Sequence, residues 1–114
     1  MALSIERSTT GDIVILNLSG RVTIGKDTDA LNDALRGELS AGTRKLVVNL
    51  SGVSQIDSSG LATVIRSFVS IRRSGGMMRL VIPPGRVREV FDMLQLSSTM
   101  TCEGDAASVL AGLR

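Results

Sequence analysis

The 114-residue sequence contains no histidine, tryptophan or tyrosine, only two phenylalanines, and a single cysteine, Cys102. Without histidine the chain cannot form a Ser-His-Asp triad, a histidine phosphorelay site or a histidine-liganded metal site. One cysteine excludes an intrachain disulfide and is typical of a reducing compartment. The scarcity of aromatic residues argues against recognition of single-stranded nucleic acid by base stacking. These absences exclude several common classes of enzyme and binding protein.

Long apolar segments are also missing. No apolar run approaches the roughly 20 residues that span a bilayer, and the N-terminus has no signal-peptide core. Thirteen basic and eleven acidic residues leave a net charge of +2, which is too small to require a nucleic-acid partner. The 43% of hydrophobic residues is typical of a globular protein. We therefore expect one cytoplasmic domain over residues 1–114, without membrane insertion, direct nucleic-acid binding, a cofactor or a metal.

The spacing of apolar residues predicts an α/β fold. Alternation over Leu3–Arg7, turn residues at 10–12 and an apolar segment at Ile13–Leu18 indicate an antiparallel hairpin, with Val22 and Ile24 ending the extended stretch. Helical spacing follows from Asp27 to a terminating Gly42. The later elements are a strand Lys45–Leu50 ended by a Ser51–Gly52 turn, a helix Leu61–Arg73, a strand Met77–Ile82, a helix opened by Pro84, a short strand at Met100–Cys102 and a final helix from Ala106.

The predicted order of elements is therefore β-β-α-β-α-β-α-β-α. Strands joined through helices need crossover connections, which make them parallel. We expect a mixed, mostly parallel sheet with an N-terminal antiparallel hairpin, flanked by about four helices.

A polar turn, Asp57-Ser58-Ser59-Gly60, joins a strand to an amphipathic helix. Aspartate and serine are preferred N-caps because their side-chain oxygens accept hydrogen bonds from the unpaired N–H groups of the first helical turn. An exposed hydroxyl at a helix N-terminus can also be phosphorylated or act as a nucleophile. A nucleophile lacks its base here, and Ile56 stands where a nucleophile elbow has its first glycine. The residues leave capping and phosphorylation open and argue against an enzyme.

Other motifs have simpler interpretations. The chain has neither the Gly-x-Gly-x-x-Gly pattern nor a Gly-rich loop ending in Lys-Ser/Thr, and Gly75-Gly76 is placed for a helix-to-strand turn. Asp27, Asp29 and Asp33 lack the spacing of a calcium loop and are interpreted as a helix cap and a solvated helix face. No nucleotide or metal site is predicted.

Residues 46–61, Leu-Val-Val-Asn-Leu-Ser-Gly-Val-Ser-Gln-Ile-Asp-Ser-Ser-Gly-Leu, resemble the signature of the STAS domain, specifically that of the bacterial anti-sigma factor antagonists. In that family a buried strand ending in Asn-Leu precedes a short loop, then Asp-Ser-Ser/Thr-Gly and a helix. The segments 18–20, 73–76 and 90–93 extend the resemblance along the chain. The predicted order of strands and helices also agrees with the STAS fold.

The resemblance implies a regulator switched by phosphorylation. In these antagonists the first serine after the aspartate is phosphorylated by an anti-sigma factor that is also a GHKL-type serine kinase, and a PP2C-type phosphatase reverses the step. Carried over, Ser58 is the phosphoacceptor, and Asp57, Ser59 and Gly60 belong to the partner-binding surface. The unphosphorylated form binds the kinase and frees a sigma factor. A phosphate adds about −1.5 to −2 charge beside Asp57, which is expected to break that complex.

One segment departs from the family pattern. Family members often carry an acidic residue soon after the glycine that ends the second strand, whereas this chain has Gly20-Arg21-Val22-Thr23. We expect Arg21 and Thr23 at the partner surface, where an acid-to-base change affects partner choice more than fold. The alternative function is a STAS subunit or scaffold of a transport or signalling complex, in which Ser58 is only structural.

Overall fold

A computed structural model describes residues 2–96, 100 and 102–113. Five strands form one sheet in which spatial neighbours follow chain order. The strands are β1 (Ser4–Thr10), β2 (Ile13–Val22), β3 (Lys45–Ile56), β4 (Met77–Val81) and β5 (Cys102–Glu103). The helices of the described residues include α1 (Lys26–Ser40), α2 (Ser58–Arg73), α3 (Arg86–Met93) and α4 (Ala106–Leu113). No helix within the described ranges is long and apolar enough to cross a membrane.

The sheet has the predicted mixed topology. β1 and β2 pair antiparallel, and β2, β3, β4 and β5 pair in parallel. Gly11, at φ +61°, lies in the two-residue hairpin turn between β1 and β2. The helical crossovers account for the parallel pairs, because a chain must return to the same end of the sheet before it can enter a parallel strand. The predicted α/β fold class is confirmed.

The two faces of the sheet pack against different helices. Successive side chains of a strand point to opposite faces, so Leu46 and Val48 join the main core with α1, α2 and α3, while Val47 lies on the other face. The smaller core on that other face includes α4 and is formed by Ile13, Val47, Val81, Val109 and Leu113. All three residues of the Leu46–Val48 run are buried, as expected for a central strand covered on both faces.

Helices α1 and α2 end in the same way. After α1, Gly42 has φ +82°, and the N–H of Thr43 donates to the carbonyl of Glu38 at 3.1 Å. After α2, Gly75 has φ +85°, and the next N–H donates to the carbonyl of Ile71 at 2.9 Å. This is the Schellman arrangement, in which a left-handed residue turns the chain and satisfies the last carbonyls. Gly42 terminates α1 as predicted.

The predicted turn at Ser51–Gly52 is wrong, because β3 continues to Ile56. β3 has one residue more than β2 at each of two register shifts. At the first shift the Asn49 carboxamide oxygen accepts the N–H of Ser51 at 3.0 Å. At the second, the Ser54 hydroxyl donates to the carbonyl of Gly20 at 3.2 Å. These side-chain bonds let the strand keep its pairing through a sequence that locally favours a turn.

Other boundaries differ by a few residues from the predicted ones. β2 ends at Val22, the first of the two residues predicted to end the extended stretch, because the N–H of Ile24 donates to a side chain instead of a strand. α3 begins at Arg86 behind Gly85, two residues after the Pro84 expected to open it. The last strand is Cys102–Glu103; of the predicted strand, Thr101 lies outside the described residues.

Candidate functional site

The Asp57–Gly60 turn lies at one edge of the sheet, where two parallel strands end together. Val22 of β2 pairs with Ile56 of β3 as the last partners of the two strands. The carboxyl ends of parallel strands meet at the same edge, so the β2–α1 loop (residues 23–25) leaves the sheet beside the start of α2. The N–H of Asp57 donates to the carbonyl of Val22 at 3.2 Å and extends this junction by one residue.

Asp57 is the N-cap of α2 and also holds the β2–α1 loop. Its Oδ1 accepts the N–H of Gly60 at 2.9 Å, which is the capping bond. Its Oδ2 accepts the N–H of Ile24 at 2.8 Å. The N–H groups of Gly60 and then Ile24 lower the pKa of the Asp57 carboxyl, because they stabilise its ionised form. A single carboxylate therefore joins two segments that are far apart in the sequence.

Ser58 is the first residue of α2, and it is exposed. Within the described part of the chain, its hydroxyl makes no hydrogen bond. The first turn of α2 contains no acidic residue, so within this segment only the Asp57 cap offsets the positive end of the helix dipole. Of the two interpretations left open by the sequence, capping belongs to Asp57, and the Ser58 side chain is left facing solvent.

Gly60 and Ser59 have different surroundings. Gly60 is buried, and a Cβ on it would lie 2.5 Å from the carbonyl oxygen of Val22 and 2.7 Å from Val22 Cγ1. Close packing of the first turn of α2 against the end of β2 therefore requires glycine. Ser59 is half-buried, and its carbonyl accepts the hydroxyl of Thr63 at 3.0 Å.

Arg21 and Thr23 lie at the same edge, close to the start of α1. The Thr23 hydroxyl donates to Asp27 Oδ2 at 3.0 Å, and Asp27 Oδ1 accepts the N–H of Leu3 at 3.1 Å. The pKa of Asp27 is lowered mainly by the Leu3 N–H, with smaller contributions from Thr23 and from the charge of Arg21. Arg21 is exposed. Arg21 and Thr23 thus lie near Asp27. They also directly precede Ile24, whose N–H binds Asp57.

A groove of about 370 Å³ between the starts of α1 and α2 was not predicted from the sequence. Its lining residues are Ile24, Gly25, Thr28, Asp29, Asn32, Ser59, Thr63 and Arg66. Ile24 is 78% exposed. The sequence gives little warning of this groove, because an isoleucine at the end of a strand, such as Ile24, is equally compatible with a buried residue.

The model of the STAS domain family matches residues 4–108. The chain belongs to the STAS domain family. Among solved structures, a Thermotoga maritima protein assigned as an anti-sigma factor antagonist is 25% identical to this STAS chain. The alignment covers 95% of this chain and 92% of the other, with a TM-score of 0.88.

Three further solved structures share the fold at lower identity. The Bacillus cell fate determinant SpoIIAA in its phosphorylated form is 18% identical, with 97% of this chain and 100% of the other covered and a TM-score of 0.76. The structure of SpoIIAA in its unphosphorylated form names it as an anti-sigma factor antagonist. It is 22% identical, the alignment covers 80% of this chain and 82% of the other, and the TM-score is 0.65. A sulfate transporter family protein from Wolinella succinogenes is 14% identical. The alignment covers 91% of this chain and 86% of the other, with a TM-score of 0.72.

Proposed function

We propose that this STAS protein is an anti-sigma factor antagonist, which binds an anti-sigma factor through the surface around Ser58 and so releases a sigma factor. The observation that carries the proposal is the exposed hydroxyl of Ser58, directly after the Asp57 cap and beside the loop that Asp57 holds. The likeness of the whole chain to the Thermotoga maritima protein supports it.

Phosphorylation of Ser58 is the proposed switch. A phosphate adds about −1.5 to −2 charge at neutral pH. The first turn of α2 has no acidic residue, so its N–H groups and dipole stabilise that charge in the free protein. A partner surface that fits a neutral serine would instead have to desolvate the phosphate beside Asp57, which destabilises the complex. The fold relative SpoIIAA, solved in a phosphorylated form, supports a modified state for a domain of this shape.

A kinase and a phosphatase are the proposed partners that add and remove the phosphate on Ser58. A GHKL-type serine kinase acting as the anti-sigma factor transfers the γ-phosphoryl group of ATP to the Ser58 oxygen; the bond from the γ-phosphorus to the bridging oxygen breaks, ADP leaves, and the hydroxyl proton is released. A PP2C-type phosphatase hydrolyses the ester and restores the hydroxyl. The STAS chain acts as ligand and substrate in the cytoplasm rather than as an enzyme, because it has no histidine to activate Ser58. Arg21, Thr23 and Ser59 complete the proposed contact surface, and the buried Gly60 holds α2 against β2 behind it.

The test is a pull-down from native lysate in ADP with the wild-type chain and Ser58→Asp as baits. The matched control is Ser70→Asp, which makes the same change at an exposed serine farther along α2. We expect wild type and Ser70→Asp to retain a GHKL-type kinase, and Ser58→Asp to retain roughly a hundredfold less. Mass spectrometry of the native protein should find phosphate on Ser58. Equal retention of the kinase by all three baits would contradict the switch.

A STAS subunit or scaffold of a transport or signalling complex is the second candidate. The fold likeness to the sulfate transporter family protein favours it. In that case the wild-type and Ser58→Asp baits would hold the same transporter or signalling protein, and Ser58 would carry no phosphate.

A further inference from the structure

A second concave surface lies toward the other end of α2. Among the described residues, its apolar lining includes Ile65, Phe68 and Val69 of α2 together with Leu96 and Met100, which follow α3. We call this surface the α2 hollow. Its volume is about 450 Å³, within the range of small-molecule sites.

Arg72 and Arg73 complete the lining of the α2 hollow and give it a positive charge. The Arg72 guanidinium lies 5.6 Å from the centre of the Phe68 ring, a cation–π contact that holds it against the apolar wall. Arg73 is exposed and makes no ion pair within the described residues. No aspartate or glutamate occurs in α2, so this helix brings no carboxylate to the hollow.

Helix capping alone does not explain this arrangement. Arginines in a last helical turn stabilise the negative end of the helix dipole, which accounts for their charge. It does not account for an apolar hollow beside them, or for Val69, which is 41% exposed. An apolar ligand would bury the exposed part of this lining, and two guanidinium groups beside it favour a ligand with a negative head group.

We propose that the α2 hollow binds a small aliphatic carboxylic acid. The aliphatic chain contacts Ile65, Phe68 and Val69, and the carboxylate pairs with the guanidinium groups of Arg72 and Arg73. Guanidinium is suited to this pairing because its planar N–H groups match the two oxygens of a carboxylate.

The hollow is separate from the proposed partner surface. α2 spans Ser58–Arg73, and at about 1.5 Å per residue its ends lie about 22 Å apart. Ligand binding at the hollow therefore does not depend on the proposed function of Ser58. Ser58→Asp should bind the carboxylic acid as the wild type does.

Decanoate and decanol, below their aggregation concentrations, are the probes for the full-length ¹⁵N-labelled protein. We expect decanoate to shift amide signals in the last two turns of α2 and to bind about tenfold more tightly than decanol. The double variant Arg72→Gln/Arg73→Gln should abolish that preference, and Arg66→Gln, an arginine of the same helix outside the hollow, should keep it. Equal affinity for the two probes, or an unchanged preference in the double variant, would overturn the proposal.

A second variant separates ligand contact from folding. Val69→Asp alters an exposed position of the hollow, so the amide spectrum should remain that of a folded chain while the affinity for both probes falls about tenfold or more. A folded Val69→Asp protein that binds decanoate as tightly as wild type would show that decanoate binds elsewhere, and the assignment to this hollow would be wrong.

Discussion

Helices α1 and α2 both begin beside the end of β2, yet their first turns differ. α1 follows Gly25, which has φ +106° and provides no side-chain cap, and its first turn carries Asp27 and Asp29. α2 follows Asp57, whose carboxylate caps the helix, and its first turn has no acidic residue. One helix start is therefore already supplied with carboxylates, whereas the other has only its cap.

Asp27 and Asp57 each join two segments of the chain, but the segments differ. Asp27 binds the Leu3 N–H and the Thr23 hydroxyl, which ties the start of the chain to α1. Asp57 binds the N–H groups of Ile24 and Gly60, which ties the β2–α1 loop to α2. In α2 the residue after the cap is an exposed serine, and in α1 it is a lysine. The start of α2 is the one suited to accept a phosphate.

The largest effect is expected at Gly60 in the first turn of α2, in contrast to a glycine inside α1. Gly60→Ala should destabilise the fold by about 1–3 kcal/mol, because its Cβ would overlap the end of β2. Urea unfolding measures the change. The control is Gly37→Ala inside α1, where the space is open; it should stabilise the fold by about 0.5–1 kcal/mol. If both substitutions stabilise, α2 is not packed as closely on β2 as the structure has it.

A smaller effect is expected from giving α1 a side chain at its N-cap. Gly25→Ser introduces a preferred capping residue, but at φ +106° a side chain is strained, although nothing lies within 4 Å of its Cβ. We expect a net loss of about 1 kcal/mol in the free energy of unfolding. A gain in stability would show that the β2–α1 loop relaxes to accept a serine cap.

Acid should weaken both helix starts. The pKa values of Asp57 and Asp27 are lowered in the folded chain, mainly by the N–H groups of Gly60 and Leu3 respectively. Their contribution to stability is present above the unfolded aspartate pKa of about 3.9 and is lost as the pH falls through the lower folded values.

Thermal unfolding between pH 6 and pH 2.5 should therefore show a steeper loss for wild type than for Asp57→Asn or Asp27→Asn. Part of the loss of stability in acid should remain in both variants, because it comes from Glu38. Hydrogen bonds from Arg7 and Thr43 lower the pKa of the Glu38 carboxyl. A variant with the full wild-type pH dependence would show that the substituted carboxylate contributes nothing to it.

The smallest effect should come from Ser58 itself. Because Asp57 provides the capping bond, Ser58→Ala should change the free energy of unfolding by less than about 0.5 kcal/mol, as at other exposed positions. Asp57→Ala should cost more and should speed amide exchange at Ile24. Equal losses in the two variants would mean that the serine shares the capping role.

Much of the fold follows from local patterns, and the error at Ser51–Gly52 shows their limit. Alternating and helical spacings predicted the hairpin, the parallel strands and the helices. Ser-Gly favours a turn in isolation, but pairing with β2 and the bonds from Asn49 and Ser54 keep these residues in β3. The strand pairing and the bond from Ser54 to Gly20 depend on β2, and no window of sequence around residue 51 contains that strand.

The order of the elements, the mixed sheet and the placement of Asp-Ser-Ser-Gly at a strand-to-helix junction can be read from the sequence, because they follow from periodicity and capping chemistry over a few residues. Three features become visible only in the folded chain: Asp57 caps while Ser58 is exposed, Ile24 joins the site, and an apolar hollow lies beside Arg72. The reason is distance along the chain: the bond from Ile24 to Asp57 joins residues 33 apart in sequence, and only packing of the sheet and its helices brings them together.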